Sequence, residues 1–600
     1  MTTFIMKKYT SLLLLLLPLL LQAQSSHLPL GNDAYHTMDR LEIKSGELMP
    51  AHTILKPFDR RDVADFAVQM DTSQMRLGNL ESLDTRYIFR DNNDWVSNGI
   101  MSKWYAGKEY VDEDSVFYRP VIVQEKSKGY YEESRKPFLK YFYHTPANLF
   151  EINQPNFSLK INPIFYARYG QETGDTSFVY LNRRGFSLRG SIDDVVWFHT
   201  NLYESQERFQ QHVMRRIEQD SLPAIPGAGF YKDFATDLWN TDGYDYLRGQ
   251  GYIAARVSKH INAHFGHGRH FIGDGMRSLF LSDFANDYFY LKINTRVWKL
   301  HYQNLYGELT SQHRQTGNRA LPKKYIAAHH LSFNNILPNL NVGIYESVIF
   351  DRSNTFELQY LNPIIIYRTV EQMLGSPDNV VMGMHFKYNF LKRFSLYGQA
   401  VFDEFKFGEL FSGNGWWANK TGVQLGLKYI DMLSISHLDG QIEYNTVRPY
   451  TYTYDDIPIS YTHYNQPLAH PLGANFRELI GKIRYQPIHP LTLQARVVYA
   501  DFGTDNPGEN VGHNLFANYL DRTTPEGSDD DESGHQTGQG VSNQLLIGQL
   551  TASYQLRHNV YIDADYIYRN RASEDPALEY TRNYVGLSLR VNIAANTVDY

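Results

Sequence analysis

Residues 585–593 read Val585-Gly586-Leu587-Ser588-Leu589-Arg590-Val591-Asn592-Ile593. Odd positions are apolar; even positions are small or polar, and one is charged. A period of two describes a strand with one greasy face and one wet face. The rhythm recurs upstream. Val560, Ile562, Ala564, Tyr566 and Tyr568 alternate with Tyr561, Asp563, Asp565 and Arg569. Leu491, Leu493, Ala495, Val497 and Tyr499 alternate with Thr492, Gln494 and Arg496. Val423, Leu425, Leu427 and Tyr429 alternate with Gly422, Gln424, Gly426 and Lys428, and Phe157, Leu159 and Ile161 with Ser158, Lys160 and Asn162. From about Pro137 onward this period dominates. Each stretch is about ten residues, the length of a tilted membrane strand. In hydrocarbon every backbone N–H and C=O must pair inside the protein, so only a closed sheet spans.

The links carry a second rhythm. Arg557-His558-Asn559, Leu391-Lys392-Arg393 and Gln486-Pro487-Ile488-His489-Pro490 are tight, whereas stretches near 204–248, 502–542 and 570–580 are long and polar. Short turns on one side and long loops on the other mark an outer-membrane barrel. A soluble sandwich also alternates, but its strands are shorter on average.

Composition agrees. The 600 residues include 45 Tyr, 34 Phe and 7 Trp, as barrel girdles require, while polar lumen faces keep the mean hydropathy at −0.45. A net charge of −7 argues against a nucleic-acid binder. The absence of Cys excludes disulfides, Cys-ligated zinc, iron–sulfur clusters and thiol nucleophiles.

The amino-terminal part reads differently. Lys7 and Lys8 precede an apolar run from Leu12 to Leu21, interrupted by Pro18 and followed by Gln22-Ala23. This is a secretory signal peptide over residues 1–23. Residues 24–115 read as a small N-terminal helical unit. Tyr35, Met38 and Leu41 lie near helical spacing, and Asp59 is placed to cap a helix whose Val63, Phe66, Ala67 and Met70 share one face. A third helical stretch covers Met75 to Phe89. The barrel takes residues 116–600.

The densest polar segment runs from His264 to Asp283. On the strand before it, Arg256, Ser258, His260, Asn262 and His264 take the lumen face, opposite Ala255, Val257, Ile261, Ala263 and Phe265. His260 and His264 are about 13 Å apart along a strand, too far for one metal ion. Gly266, Gly268 and Gly273 do not form a dinucleotide fingerprint. A polar barrel wall with glycine kinks is one reading. A site for sugar hydroxyls or acidic sugars is the sharper one, with Arg256, His260, His264, His267, Arg269, His270, Asp274, Arg277 and Asp283 as candidates. Trp416 and Trp417 form a sugar-stacking platform or an interfacial girdle. Asp529, Asp530, Asp531 and Glu532 offer hard oxygens to Ca²⁺ without EF-hand spacing; a solvated loop is the plainer reading. A phase switch at Val297-Trp298 predicts a bulge or two strands. No GxSxG, no HExxH and no isolated carboxylate pair points to an enzyme, and nothing points to a cofactor.

The helical start, Tyr35-His36-Thr37-Met38-Asp39-Arg40-Leu41 followed by Lys56-Pro57-Phe58-Asp59-Arg60-Arg61, resembles the Wzi-type capsule-assembly outer-membrane proteins. So does Gly273-Asp274-Gly275-Met276-Arg277-Ser278-Leu279-Phe280-Leu281-Ser282-Asp283. Leu361-Asn362-Pro363-Ile364-Ile365, Val447-Arg448-Pro449-Tyr450-Thr451-Tyr452 and the segment from Tyr461 to Pro471 resemble the Bacteroidetes branch, which includes RemB-type gliding-motility proteins. The resemblance implies an antiparallel transmembrane β-barrel of about 18 strands, closed on its periplasmic side by helices. It implies a non-enzymatic surface lectin that retains capsular or exopolysaccharide, or else a motility or adhesion component that scaffolds protein partners. Outer-membrane lipid, surface polysaccharide, the barrel-assembly machinery and motility or export proteins are the implied partners. One departure stands out: the last apolar strand stops near Ile593 and leaves Ala594 to Tyr600 as a tail, where assembly signals usually end with the strand.

Overall fold

The computed structural model describes residues 25–72, 77–96, 118–121, 131–134, 138, 141–154, 156–193, 195–219, 224–236, 241–311, 322–352, 355–364, 366–375, 378–404, 406–410, 412–595 and 598–600. The expected signal segment and the expected boundary at 115/116 lie outside them.

Eighteen strands form one closed antiparallel sheet. In chain order they are β1 Phe157–Glu172, β2 Val179–Ile192, β3 Val196–Arg208, β4 Thr241–Arg256, β5 Ile261–Gly268 and β6 Tyr288–Val297. β7 Leu300–Thr310, β8 Lys323–Asn334, β9 Leu340–Phe350, β10 Asn379–Phe390, β11 Phe394–Glu404 and β12 Lys420–Tyr429 follow. β13 Leu438–Val447, β14 Phe476–Ile488, β15 Leu491–Thr504, β16 Val541–Arg557, β17 Val560–Ser573 and β18 Tyr580–Val591 complete the wall. Each strand pairs with its sequence neighbour, and β18 returns to β1 with Val591 opposite Phe165 and Tyr584 opposite Glu172. Closure leaves no wall edge in need of a partner.

The alternation has the expected sense. Val585, Leu587, Val497 and Leu425 are exposed outward, while Ser588, Arg590, Gln424 and Asp563 are buried inward. Val297-Trp298 is a turn between two strands, with Trp298 at φ 55°, not a bulge. Residues 257–260 are likewise a hairpin turn, so the single strand read from Ala255 to Phe265 is two; Arg256 pairs with Asn262, an even separation, so the chain returns with its parity unchanged. The loop expected near 570–580 shrinks to residues 574–579, because β17 and β18 continue to the rim. Three long loops not singled out as such, 269–287, 351–378 and 448–475, lie on the same side as 209–240 and 505–540.

Three helices plug the short-turn end: α1 Ala34–Ser45, α2 Arg60–Thr72 and α3 Asn79–Asp91. Val63, Phe66, Ala67 and Met70 are buried together with Met38, Leu41, Ile88 and Phe89, as their spacing requires. Asp59 does not cap α2 with its side chain. Its carboxylate accepts from Ser25 Oγ at 3.1 Å and Arg296 at 3.4 Å, and Ser25 Oγ in turn accepts the Arg61 N–H at 2.8 Å. The plug sits on charges. Arg40, nearly fully buried, donates to Asp431 at 2.8 Å, to Glu81 at 3.2 Å and to Asp439. Lys428 donates to Asp39 at 2.6 Å, and Lys387 meets Glu42. Burial alone would raise the Asp39 carboxyl, but Lys428 and Lys387 hold it well below the usual carboxylate range, whereas burial leaves Glu42 raised.

Depth along a strand sets the cost of a charge on the outer face. Val497 (51% exposed) and Leu587 (60% exposed) lie mid-strand, whereas Leu493 stands two residues past the start of β15. Val497→Arg and Leu587→Arg should each cost about 2–4 kcal/mol in folding into bilayers, Leu493→Arg about 0–1, and lumenal Gln494→Arg little; urea titration in vesicles measures this. Arg40→Ala removes the shared buried cation from three carboxylates, leaving Lys44 and His36 beside them, and should cost the plug about 3 kcal/mol. Proteolysis of the plug with the barrel left intact on gels is the expected readout. Because the folded-state pKa of Asp39 is depressed, its contribution is complete above about pH 4 and is lost as the pH falls further. Hydrogen exchange of α1, corrected for intrinsic rates, should therefore rise relative to β16 below pH 3.

Candidate functional site

The lumen is filled from two sides. The plug enters from below, and the 269–287 loop folds inward from the rim. Leu55 and Lys56 pair with Ile272 and Phe271 in a two-residue ladder that joins plug to loop. The loop then meets the far wall. Met276 N and Arg277 N donate to the Glu443 carboxylate at 2.6 and 3.0 Å. Gly275 permits this approach: a Cβ there would lie 2.3 Å from Glu443 Oε2. Arg277 continues to Glu478 at 3.2 Å and Asp599 at 2.7 Å.

Beside the loop lies a cavity of about 570 Å³. Strand residues Arg168, Arg183, Arg484, Arg496, Arg569 and Arg590 line it, facing Asp33, Asp39, Glu207, Asp563, Asp565 and Asp599. Opposite charges are interleaved. Arg590 pairs with Asp563 at 2.7 Å, Arg168 with Glu207 at 2.5 Å and Arg484 with Asp33 at 2.9 Å. The tail after β18 turns back into this space. Asp599 meets Arg496 as well as Arg277, Arg569 donates to its carbonyl, and the Tyr600 hydroxyl donates to Glu478. Against the effect of burial, Arg496 and Arg277 hold the Asp599 carboxyl well below its ordinary value. A surface of fixed donors and acceptors in alternation suits hydroxyl-rich and carboxylate-bearing ligands.

The residues singled out from sequence do not converge on one place. Arg256 ends β4 and His260 lies in the 257–260 turn at the plug end, where Arg256 donates to the Ser258 carbonyl at 3.0 Å and His260 Nδ1 lies 2.8 Å from the Arg296 carbonyl. His264 faces the lumen and stacks on His27 at 4.5 Å between ring centroids. His267 shares the outward parity of Phe265 and is exposed beside the wall, because one residue separates it from the lumen face. His270 is buried, 3.0 Å from the Tyr288 hydroxyl. Arg269 pairs with Asp287 at 3.4 Å and donates to the Asp283 carbonyl, fixing the root of the inward loop. Asp274 is buried, 3.6 Å from Lys387 and 3.4 Å from Thr53. Arg277, Asp274 and Asp283 border the cavity.

The tryptophans lie in the outer loop 405–419. Trp417 is half-buried, with Arg522 4.2 Å from its ring centroid and Tyr519 at 5.0 Å. Trp416 is half-buried with Lys406 5.6 Å above its ring. In the neighbouring loop Asp531 pairs with Arg522 at 2.9 Å, and Asp530 Oδ1 accepts the N–H groups of Glu532 and Ser533 at 3.1 Å each. Among the described residues, the group spaced to hold a metal ion is Glu81, Asp431 and His437, and Arg40 and Lys44 already fill it with positive charge.

Sequence reasoning missed the plug-to-wall pairs, such as Lys387 with Glu42 and Lys160 with Asp94. A lysine or arginine on the wet face of a strand was the available signal; Lys160 and Arg496 carry it in the sequence.

No family profile matches the sequence, and no curated protein matches it. Solved structures do. Wzi of Escherichia coli, described as an outer-membrane protein involved in group 1 capsule assembly and a carbohydrate-binding β-barrel, superposes with a TM-score of 0.52 at 13% identity. The match covers 96% of this chain and 100% of that one. The fold is Wzi-like. The Pseudomonas aeruginosa barrel OprD gives 0.39 at 12% identity over 72% of this chain and 94% of that one, and Acinetobacter baumannii OccAB1 gives 0.38 at 11% over 72% and 96%.

Proposed function

We propose that the protein is a non-enzymatic barrel of the outer membrane that holds a surface polysaccharide, in the manner that Wzi's description gives for that protein. Residues 1–23 direct export, residues 24–115 form the periplasmic plug, and the barrel follows. One observation carries the reading: the Wzi-like fold extends over nearly the whole chain, plug included, with the lumen filled. A filled barrel suits retention better than passage.

The cavity supplies the chemistry. Its paired arginines and carboxylates present donors and acceptors already fixed in place, so a saccharide binds without ordering many side chains. Arg277, Asp274 and Asp283 carry the glycan role there, and Trp416 carries it at the rim, where a half-buried indole offers apolar area to a pyranose. The remaining candidates, Arg256, His260, His264, His267, Arg269 and His270, hold plug, wall and loop. Weak contacts repeated along a polymer give firm retention without a deep pocket.

Glycan-array binding by the refolded barrel is the direct test. Binding to an acidic or neutral polysaccharide, weakened about 10-fold or more by Arg277→Ala, is the expected outcome, since a hydrogen bond to a charged group contributes about 1.5–3 kcal/mol. A deletion strain should shed polysaccharide while spreading normally. The opposite phenotype, lost spreading with intact polysaccharide, would assign the barrel to motility or adhesion.

A further inference from the structure

The long loop between β9 and β10 does not project from the rim. It folds down the outside of the wall. Outward parity on β7 to β9 belongs to Tyr302, Asn304, Tyr306, Tyr325, His329, Glu346, Val348 and Phe350, because the intervening Gln303, His330, Tyr345 and Ser347 face inward. The loop covers these positions. Tyr360 and Tyr367 are fully buried against Tyr306, Tyr325, Val348 and Phe350 on the exterior face.

The contacts give the depth. The Tyr302 hydroxyl donates to the Pro363 carbonyl, joined by Asn304 Nδ2 at 3.4 Å, and the Tyr306 hydroxyl donates to the Leu361 carbonyl at 3.1 Å. Tyr302 lies two residues after the start of β7, eight before its end at the rim. Eight residues at ~3.3 Å on a strand tilted by ~40° put the tip roughly 20 Å below that rim. On the return, the Glu346 carboxylate accepts the N–H groups of Tyr367 and Arg368 at 3.0 and 3.3 Å, at the start of a short helix, α4 Tyr367–Leu374. Glu346 and the polar groups around it would be costly on a lipid-facing wall; here they are consumed by the backbone of the loop. Irregular backbone is tolerated at membrane depth where protein covers it, and the wall side of the loop is packed on Tyr306, Tyr325, Val348 and Phe350.

The outer surface of the loop exposes Leu358, Leu361, Ile364, Ile366 and Met373, with Ile364 86% exposed, and Gln359, Asn362, Thr369 and Gln372 stand among them. Arg368 pairs with Glu371 at 2.6 Å, and its N–H is held by Glu346, four residues before the end of β9, from where its side chain reaches toward the headgroups. We propose that residues 355–364 and 366–374 belong to an intramembrane flap, pinned to the outside of the barrel by Tyr302, Tyr306 and Glu346, whose outer apolar side chains contact lipid acyl chains. The occupant follows from position, since Ile344 and Met384 on the flanking strands are exposed in the same outward band. The inference rests on the barrel being embedded in a bilayer.

The chain has no Cys, so single cysteines report cleanly. Ile364→Cys, Val497→Cys on the wall and Glu526→Cys in an outer loop are labelled with a fluorophore and reconstituted in phosphatidylcholine vesicles. Doxyl-labelled lipid should quench the Ile364 probe within about twofold of the Val497 probe, and aqueous iodide should quench it about fivefold less than the Glu526 probe. Glu346→Ala should raise iodide access at Ile364 with Val497 unchanged. Quenching at Val497 but water access at Ile364 overturns the flap alone; water access at both overturns the barrel reading beneath it. Disulfide cross-linking between Ile364→Cys copies with no doxyl quenching assigns the face to a second copy and overturns the proposal. An unchanged Ile364 signal in Glu346→Ala overturns the pinning role of that carboxylate.

Discussion

The pairing of β18 with β1 is the constraint from which the rest follows. Until Val591 meets Phe165, two strands carry unpaired N–H and C=O groups, and none of the wall is admissible in hydrocarbon. Once the sheet closes, alternation sorts every side chain into one of two environments. Leucines and valines at odd positions of β18 cover the outside, and Ser588 and Arg590 turn inward. The inward set is then too polar to leave bare, and the fold fills it.

The filling is electrostatic as much as apolar. Buried arginines and lysines of the wall meet acidic groups brought by elements distant in sequence: Arg484 with Asp33, Lys428 with Asp39, Arg496 with Asp599. Such pairs add little net stability compared with an apolar core, but breaking one leaves an uncompensated buried charge. They therefore act as registry, fixing where the plug, the inward loop and the tail sit. The same interleaved charges border the cavity, so the residues that fix the assembly also line the open space beside it.

The outer wall shows the converse logic. Asn304, His329 and Glu346 break the apolar band, and the structure answers with a covering segment instead of an apolar replacement. In sequence these residues look like lapses in alternation. In space they are hydrogen-bond partners for the backbone around Pro363 and Tyr367. Leu361-Asn362-Pro363 has a use that its sequence alone did not reveal.

How much was legible can be judged element by element. The period of two in β15, β17 and β18 and the short links at Leu391 and His558 were read correctly, because side-chain direction in a strand depends on parity alone. The spacing of Val63, Phe66, Ala67 and Met70 likewise gave α2 its buried face. Loop destinations were not legible. Nothing local says that residues 269–287 fold inward, that residues 351–378 fold outward, or that Asp59 yields its capping role to Ser25. The candidate His residues scattered because hairpin turns and parity, not proximity in sequence, decide which face each one meets. Sequence by itself determined the strands, their two faces and the helical plug, since these depend on neighbours within a few positions. The lumenal charge partners, the cavity and the flap were decided only by tertiary structure, because each joins residues tens to hundreds of positions apart that meet once the wall has closed.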